Sequence, residues 1–386
     1  MTTKTTSPQT TPPRNYHRLA VLAAFFANGA VLASWIARIP AVQEKLGMQE
    51  ATLGLTMFGL SSGVFTALFF AGSLIAKFGS QKVTFVSGLI QCCLLPFLAL
   101  MPHPVLLFIN LFFFGASTSS MDMAMNEQAV LVEKKLQRTL MSSFHASFSI
   151  GGLVGALIGA FMARSAQTPI LLHFILITVI FFVLLILVYQ HLIPTNDNDR
   201  STKTGIRLPQ KGLLLLGLVI FCSSITEGAV SDWNGVYLTD VLSTSNSFAA
   251  LGYAAISMTM TIGRLLGDLL TQRFKASTIV RCGAILTVLG LCVTIFTDDP
   301  YLALTGFSAV GLGVSNIIPL SFSSAGNSAS SPGVGISGAA SIGYAGFLIG
   351  PPLIGFLAEQ FSLRISFTII AILASSMILT ARALKK

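Results

Sequence analysis

Long apolar runs, broken by short charged or Pro- and Gly-containing stretches, recur along nearly the whole chain. A helix needs about 20 mostly apolar residues to cross the hydrocarbon core of a bilayer. On that scale the pattern predicts twelve spanning helices, over 17–38, 52–76, 83–101, 105–127, 141–163, 169–190, 212–233, 248–271, 277–297, 301–324, 335–358 and 363–383. An even number puts both termini on one side. Residues 1–16 are rich in Thr and Pro without an apolar core, which predicts a disordered tail and not a cleaved signal peptide. The polar stretch 191–211 divides the spans six and six. It reads as a linker between two six-helix bundles, 17–190 and 212–386.

Charge changes this picture in one respect, the orientation. Only 10% of the 386 residues are charged and 53% are hydrophobic, against roughly 25% charged in a soluble domain. If the N-terminus is cytoplasmic, the inner segments hold 18 of the 23 lysines and arginines and the outer segments four. That asymmetry predicts cytoplasmic termini in a bacterial inner membrane. The net charge of +9 is then a topology signal, and no nucleic-acid partner is expected. Five cysteines in apolar context lack metal-ligand or disulfide spacing, and no phosphate-binding loop is visible. No cofactor, metal or enzymatic chemistry is expected.

The two halves repeat one another. Asn28-Gly29-Ala30-Val31 leads to Trp35 in span 1, and Glu227-Gly228-Ala229-Val230 leads to Trp233 in span 7. Those are the only two tryptophans. Spans 2 and 8 end in related Gly-Leu-Phe patterns, from Gly72 and Gly267. Spans 5 and 11 both carry Ser-Ile-Gly followed by Leu-Ile-Gly. Duplicated six-helix halves are a transporter architecture, with the site between them near the midplane.

The twelve spans, the central loop and these repeats resemble the major facilitator superfamily over essentially the whole chain. The loop after span 2, Gly72 through Lys77-Phe78-Gly79-Ser80-Gln81-Lys82, is similar to that superfamily's glycine-and-basic signature, which implies a gating role for Gly72, Lys77 and Gly79. Ala76 stands where an aspartate is usual. Within the superfamily, Ser34-Trp35 with Arg38 and Pro40, Phe114-Gly115-Ala116-Ser117, Glu227-Gly228 with Asp232-Trp233, and Gly343-Tyr344 with Gly350-Pro351-Pro352 resemble the YbjJ-like bacterial inner-membrane proteins. Asp122-Met123-Ala124-Met125-Asn126 is similar to a stretch of the fucose–proton symporter family, which implies a proton-coupling acid at Asp122. That family's second acid, in span 1, has no counterpart in this chain. The glycine-proline motif usual in span 5 of proton-driven drug exporters is also missing.

An ionisable side chain inside the bilayer is costly unless it faces a cavity or a partner, so the few present are the functional candidates. Asp122 lies about 25 Å into its span at 1.5 Å per residue, with Asn126 one turn on. It reads as the main proton-coupling group, against a helix-packing hydrogen bond as the plain alternative. Glu227 is its counterpart in the second half. Trp35 and Trp233 read either as interfacial belt residues or as rings that stack on a solute. Arg38 reads as a clamp for an anionic solute, as the partner of an acid, or as an outer-interface anchor. Asn28, Asn126, Asn316 and Tyr344 are further solute-binding candidates. Arg264 and Asp268, four residues apart, are expected to form an internal ion pair. Pro351-Pro352 is expected to kink span 11 and free backbone carbonyls toward a cavity, and Gly350 belongs to a face of small residues that lets helices approach closely and slide. The expected protein is a monomeric, proton-coupled secondary transporter of a small polar, sugar-like solute. An exporter of drugs or metabolites, and a receptor or scaffold that keeps the fold without transport, are the alternatives.

Overall fold

A computed structural model describes residues 16–138, 140–165, 168–194, 214–328 and 332–384. All but the last residue of the expected tail and most of the expected linker lie outside the described residues. The described chain runs through α1 (Tyr16–Ile36), α2 (Ile39–Leu46), α3 (Glu50–Phe78), α4 (Ser80–Leu100), α5 (Pro104–Leu136), α6 (Met141–Met162) and α7 (Ile170–Tyr189). It resumes with α8 (Leu214–Val236), α9 (Asn246–Arg273), α10 (Ala276–Phe296), α11 (Pro300–Val314), α12 (Ile317–Ser328), α13 (Pro332–Gln360) and α14 (Leu363–Thr380). Among the described residues, eleven segments are long and apolar enough to cross a membrane, and α13 covers the one predicted span not among them, 335–358.

Two departures from the predicted spans have physical causes. The tenth span is split into α11 and α12, and Asn316 at the break donates its side-chain amide to the Gly263 carbonyl of α9 at 2.7 Å. Helix α5 runs on to Leu136, well past 127, because Glu, Lys and Leu sustain a helix beyond the membrane as readily as within it. Its end is used. A Glu133 carboxylate oxygen accepts from the backbone N–H groups of Leu140 and Met141 and so places negative charge at the start of α6, where the helix dipole favours it.

Packing repeats the sequence duplication. In the first half α1 packs on α6, α3 on α5, and α4 on both α5 and α7. In the second, α8 packs on α13, α9 on α11, and α10 on both α11 and α14. Each contact in one half has its counterpart in the other. The halves meet along two seams, α3 against α13 and α6 against α9, which are equivalent under the same repeat. Large apolar side chains such as Phe69, Phe161, Leu187, Phe296 and Ile372 project outward from the helices and are exposed. In lipid such surfaces need no cover, whereas every backbone group does. That is why all the spanning segments are helical.

The side on which α1 starts and α14 ends is called the termini side, and the opposite one the far side. On the termini side, Gly79 joins α3 to α4 at φ +83°, a conformation that favours glycine. Buried Gln128 ties that turn to the end of α7: its amide donates to Ser80 Oγ at 2.9 Å and to the Ile193 carbonyl at 2.8 Å. On the far side, Ser245, Asp299 and Ser362 cap the starts of α9, α11 and α14 with their side-chain oxygens.

Candidate functional site

Halfway through the membrane the α6/α9 seam carries charge. A guanidinium nitrogen of Arg264, Nη2, lies 3.6 Å from Glu227 Oε1 of α8. Its other terminal nitrogen, Nη1, donates to Ser149 Oγ of α6 at 3.3 Å. The Ser149 hydroxyl itself donates to the His145 carbonyl at 3.2 Å, so its lone pair is free to accept from the arginine. One side chain thus links an acid of its own half to a hydroxyl of the opposite half. Neither charged group is sealed: the side chains of Glu227 and Arg264 are 18% and 26% exposed. Tyr253, three turns before Arg264 on α9, lies close enough to Asp232, Glu227 and Arg264 to feel their charges, and His145 feels that of Arg264.

A second polar station lies on α5. Asp122 and Asn126 are both half-buried, and the Asn126 amide donates to the Asp122 carbonyl oxygen at 2.8 Å and to its carboxylate Oδ1 at 3.3 Å. Counted along their helices at 1.5 Å per residue, Asp122 and Arg264 stand about 27 Å, Ser149 about 20 Å and Glu227 about 14 Å from the far-side helix ends. All four lie within the spanning part of their helices, and the long Arg264 side chain bridges the difference in depth to Glu227 and Ser149. A carboxyl that is reachable at this depth can hold a proton or meet a polar solute, and an arginine held at 3.6 Å from its acid can change partners.

Other expected site residues are placed elsewhere. Trp35 and Trp233 are fully buried, at 2% and 0% exposed, so neither is an interfacial belt residue, and in this conformation neither ring faces a cavity. The indole N–H of Trp233 has no hydrogen-bond partner among the described residues. Arg38 is no surface anchor or open clamp: it is 3% exposed and turns inward, donating through Nε to His173 Nδ1 at 3.3 Å. Asn28 is also sealed, its amide pointing at the Met125 sulfur at 3.8 Å. Asn316, committed to Gly263, borders a groove of about 340 Å³ among α9, α10, α11 and α12 within the second half, away from the seam. The Arg264 guanidinium reaches Glu227, and the side chains of its expected partner Asp268 and of Tyr344 lie outside the described residues.

The gating candidates separate in the same way. Lys77 is exposed and its ammonium stands 5.2 Å above the Phe78 ring. Gly72 is half-buried and Gly79 forms the turn just described. Gly350 is buried against Ile225 of α8. The Pro351 carbonyl does not open toward a cavity; it lies against Gly54 of α3, where a Cβ on that glycine would come within 2.6 Å of it. Tyr253 and Ser149 are the seam residues not singled out from sequence. Their signal is present: Tyr253, Ser257 and Arg264 recur at helical spacing as a polar stripe on an otherwise apolar helix.

Two pseudo-symmetric bundles around a charged, reachable midplane seam define a polytopic membrane transporter. The Major Facilitator Superfamily model matches residues 19–330 and 216–385. The chain is 33% identical over 379 residues to an uncharacterized MFS-type transporter of Yersinia pestis, covering 98% of each chain. It is 35% identical over 371 residues to an uncharacterized transporter of Sinorhizobium fredii, covering 95% of this chain and 97% of the relative. This chain belongs to the major facilitator superfamily, whose members are transporters and not enzymes. Among solved structures, the nucleoside transporter NupG superposes with a TM-score of 0.79 at 11% identity, over 96% of this chain and 100% of that one. A bacterial homolog of the human lysosomal transporter Spinster gives 0.77 at 12% identity, over 97% and 98%, and the fucose:proton symporter FucP gives 0.64 at 16%, over 97% and 100%. At these identities the likeness is one of fold.

Proposed function

We propose that this protein is a proton-coupled secondary transporter of a small polar solute, working by alternating access in a bacterial inner membrane with both termini cytoplasmic. The observation that carries the reading is the Glu227–Arg264–Ser149 chain. A reachable acid at the midplane is tied through one arginine to the opposite half. Bringing a proton to Glu227 removes the charge that holds Arg264, so protonation acts on the same seam that must open and close. Asp122 is the second proton-bearing group and, with Asn126, offers a carboxylate and an amide to a hydroxyl-bearing, sugar-like solute. Among the described residues, the titratable and charged groups around Glu227 are Arg264 and Tyr253 on α9, Asp232 on α8 and, through Arg264, His145 on α6. The strong bias of lysine and arginine to the termini side supports the orientation. The finer likeness to the YbjJ-like branch, the bundle limits 17–190 and 212–386, and a monomeric state belong to this reading.

The test has two stages. Thermal-shift screening of purified protein against sugars, sugar acids and related polar metabolites names a ligand. Proteoliposomes with a trapped pH dye then report whether that ligand moves protons. Solute-driven acidification that is lost in Asp122→Asn is expected. Gradient-driven uptake that persists in both Asp122→Asn and Glu227→Gln would remove the proton-coupling assignment.

A further inference from the structure

The far side of the molecule is held shut by contacts of a different kind from those at the midplane. Helix α3 starts without a cap of its own: Gln49 at its N-cap is extended and makes no side-chain hydrogen bond to the first turn. Four N–H groups at a helix start have no partner within the helix. One of them, the Ala51 N–H, is taken by Glu359 Oε2 at 2.9 Å. Glu359 belongs to the last turn of α13, 308 residues away in the opposite half. A carboxylate on a helix N-terminus gains both a charge-assisted hydrogen bond and the helix dipole.

The neighbouring geometry makes this contact specific to the closed seam. One turn further along α3, Gly54 meets Gly355 of α13 so closely that a Cβ on either would fall 2.5–2.6 Å from a carbonyl of the other helix. On the second seam Ser247 of α9 donates to the Ala160 carbonyl of α6 at 2.8 Å, and Ala37, Ala160 and Ala250 pack as a small buried cluster from both halves. Asn246 donates to Glu44 at 3.4 Å. Of these far-side contacts only that of Glu359 brings a carboxylate onto a backbone N–H across the seam.

We infer that Glu359 is the latch of the far-side gate, capping α3 across the seam when the gate is closed and releasing that helix start when it opens. Gln49, Thr52 and Glu359 are exposed, so on opening water replaces the cap, whereas the bond across the seam exists only in the far-closed state. The latch therefore sets the balance between far-closed and far-open conformations. It does so whatever the coupling ion, so its test is separate from that of the proton sites.

The reporter is Ala250→Cys, a small, buried position in the far-side seam at 3% exposure, in a background with the exposed Cys93 and Cys282 replaced by serine. The labelling rate with a membrane-impermeant maleimide is measured on the intact full-length protein. Glu359→Ala, which removes charge and acceptor, is expected to raise labelling on the order of tenfold, and Glu359→Gln, which keeps an acceptor, about threefold. Asn246→Ala, which removes a longer neutral contact, is expected to change it less than twofold. Equal labelling in the parent and in Glu359→Gln, with both proteins monodisperse, overturns the inference. That comparison decides the matter alone if Glu359→Ala fails to assemble.

Discussion

The two intramembrane acids stand on non-equivalent helices of the two halves, Asp122 on α5 and Glu227 on α8, and their partners differ. Asp122 on α5 meets a neutral amide of its own helix. Glu227 on α8 meets a guanidinium that also holds the opposite half. Neutralising the first leaves every described contact between the halves in place. Neutralising the second leaves a cation at the midplane without its acid, which is costly in low dielectric. Under the proposed function, the first acid would exchange a proton without straining the fold, while the second would convert a proton into a change at the seam.

The largest effect expected from this difference is functional and falls on Asp122. Asp122→Asn should lower solute-driven proton uptake in proteoliposomes by more than about a hundredfold, the loss expected when an essential proton-transfer group is removed. Its unfolding midpoint should stay within roughly 2 °C of the parent, because an amide can keep the bond to Asn126. A large drop in midpoint would mean that the residue holds helices together and does not carry protons.

The next effect falls on the ion pair. Glu227→Gln and Arg264→Gln should each lower stability by about 2 kcal/mol, less than a sealed pair would because both side chains are partly exposed. The double variant should recover about half of the combined loss, since it leaves no charge unpaired. Additive losses in a double-mutant cycle, followed by fluorescence-detected thermal unfolding, would show that the two groups do not interact.

Much of this fold was legible along the chain, because lipid forces every span into one recognisable form. The twelve spans and the duplicated halves follow from apolar runs and from repeats such as Glu227-Gly228-Ala229-Val230 against Asn28-Gly29-Ala30-Val31. The acids were legible for the same reason: a carboxylate among apolar residues stands out. Partners were not. Spacing on one helix offered Asp268 to Arg264, a pair whose acid lies outside the described side chains, while Glu227 and Ser149 come from helices that sequence distance does not bring near. The tryptophans misled because two buried rings and two belt rings have the same spacing. Arg38 misled in the same way, since its inward turn depends on His173, 135 residues away.

Trp233 gives a sharper check of that last point. Its ring is fully enclosed and its N–H unpartnered, so Trp233→Phe removes a polar atom that costs free energy where it lies. The gain offsets part of the volume lost, and the net destabilisation should be below about 1.5 kcal/mol. Solute affinity measured by titration should change less than about twofold, because a contact that is never made contributes nothing to binding. A tenfold loss of affinity would mean that the ring reaches the solute path in another conformation.

The smallest effect should come from Ser149→Ala. The hydroxyl supplies one hydrogen bond to Arg264 at 3.3 Å, near the limit for a useful bond, while Glu227 keeps the charge. Losing one such neutral acceptor from a half-exposed arginine is worth about 0.5–1 kcal/mol, or roughly a two- to fivefold change in an equilibrium. The change has a predicted direction. Without Ser149 the seam at α6 and α9 loses its midplane tie, so Ala250→Cys labelling should rise slightly, by about twofold, while proton stoichiometry stays as in the parent. An altered stoichiometry would place Ser149 in the proton path itself and not between the proton site and the moving half.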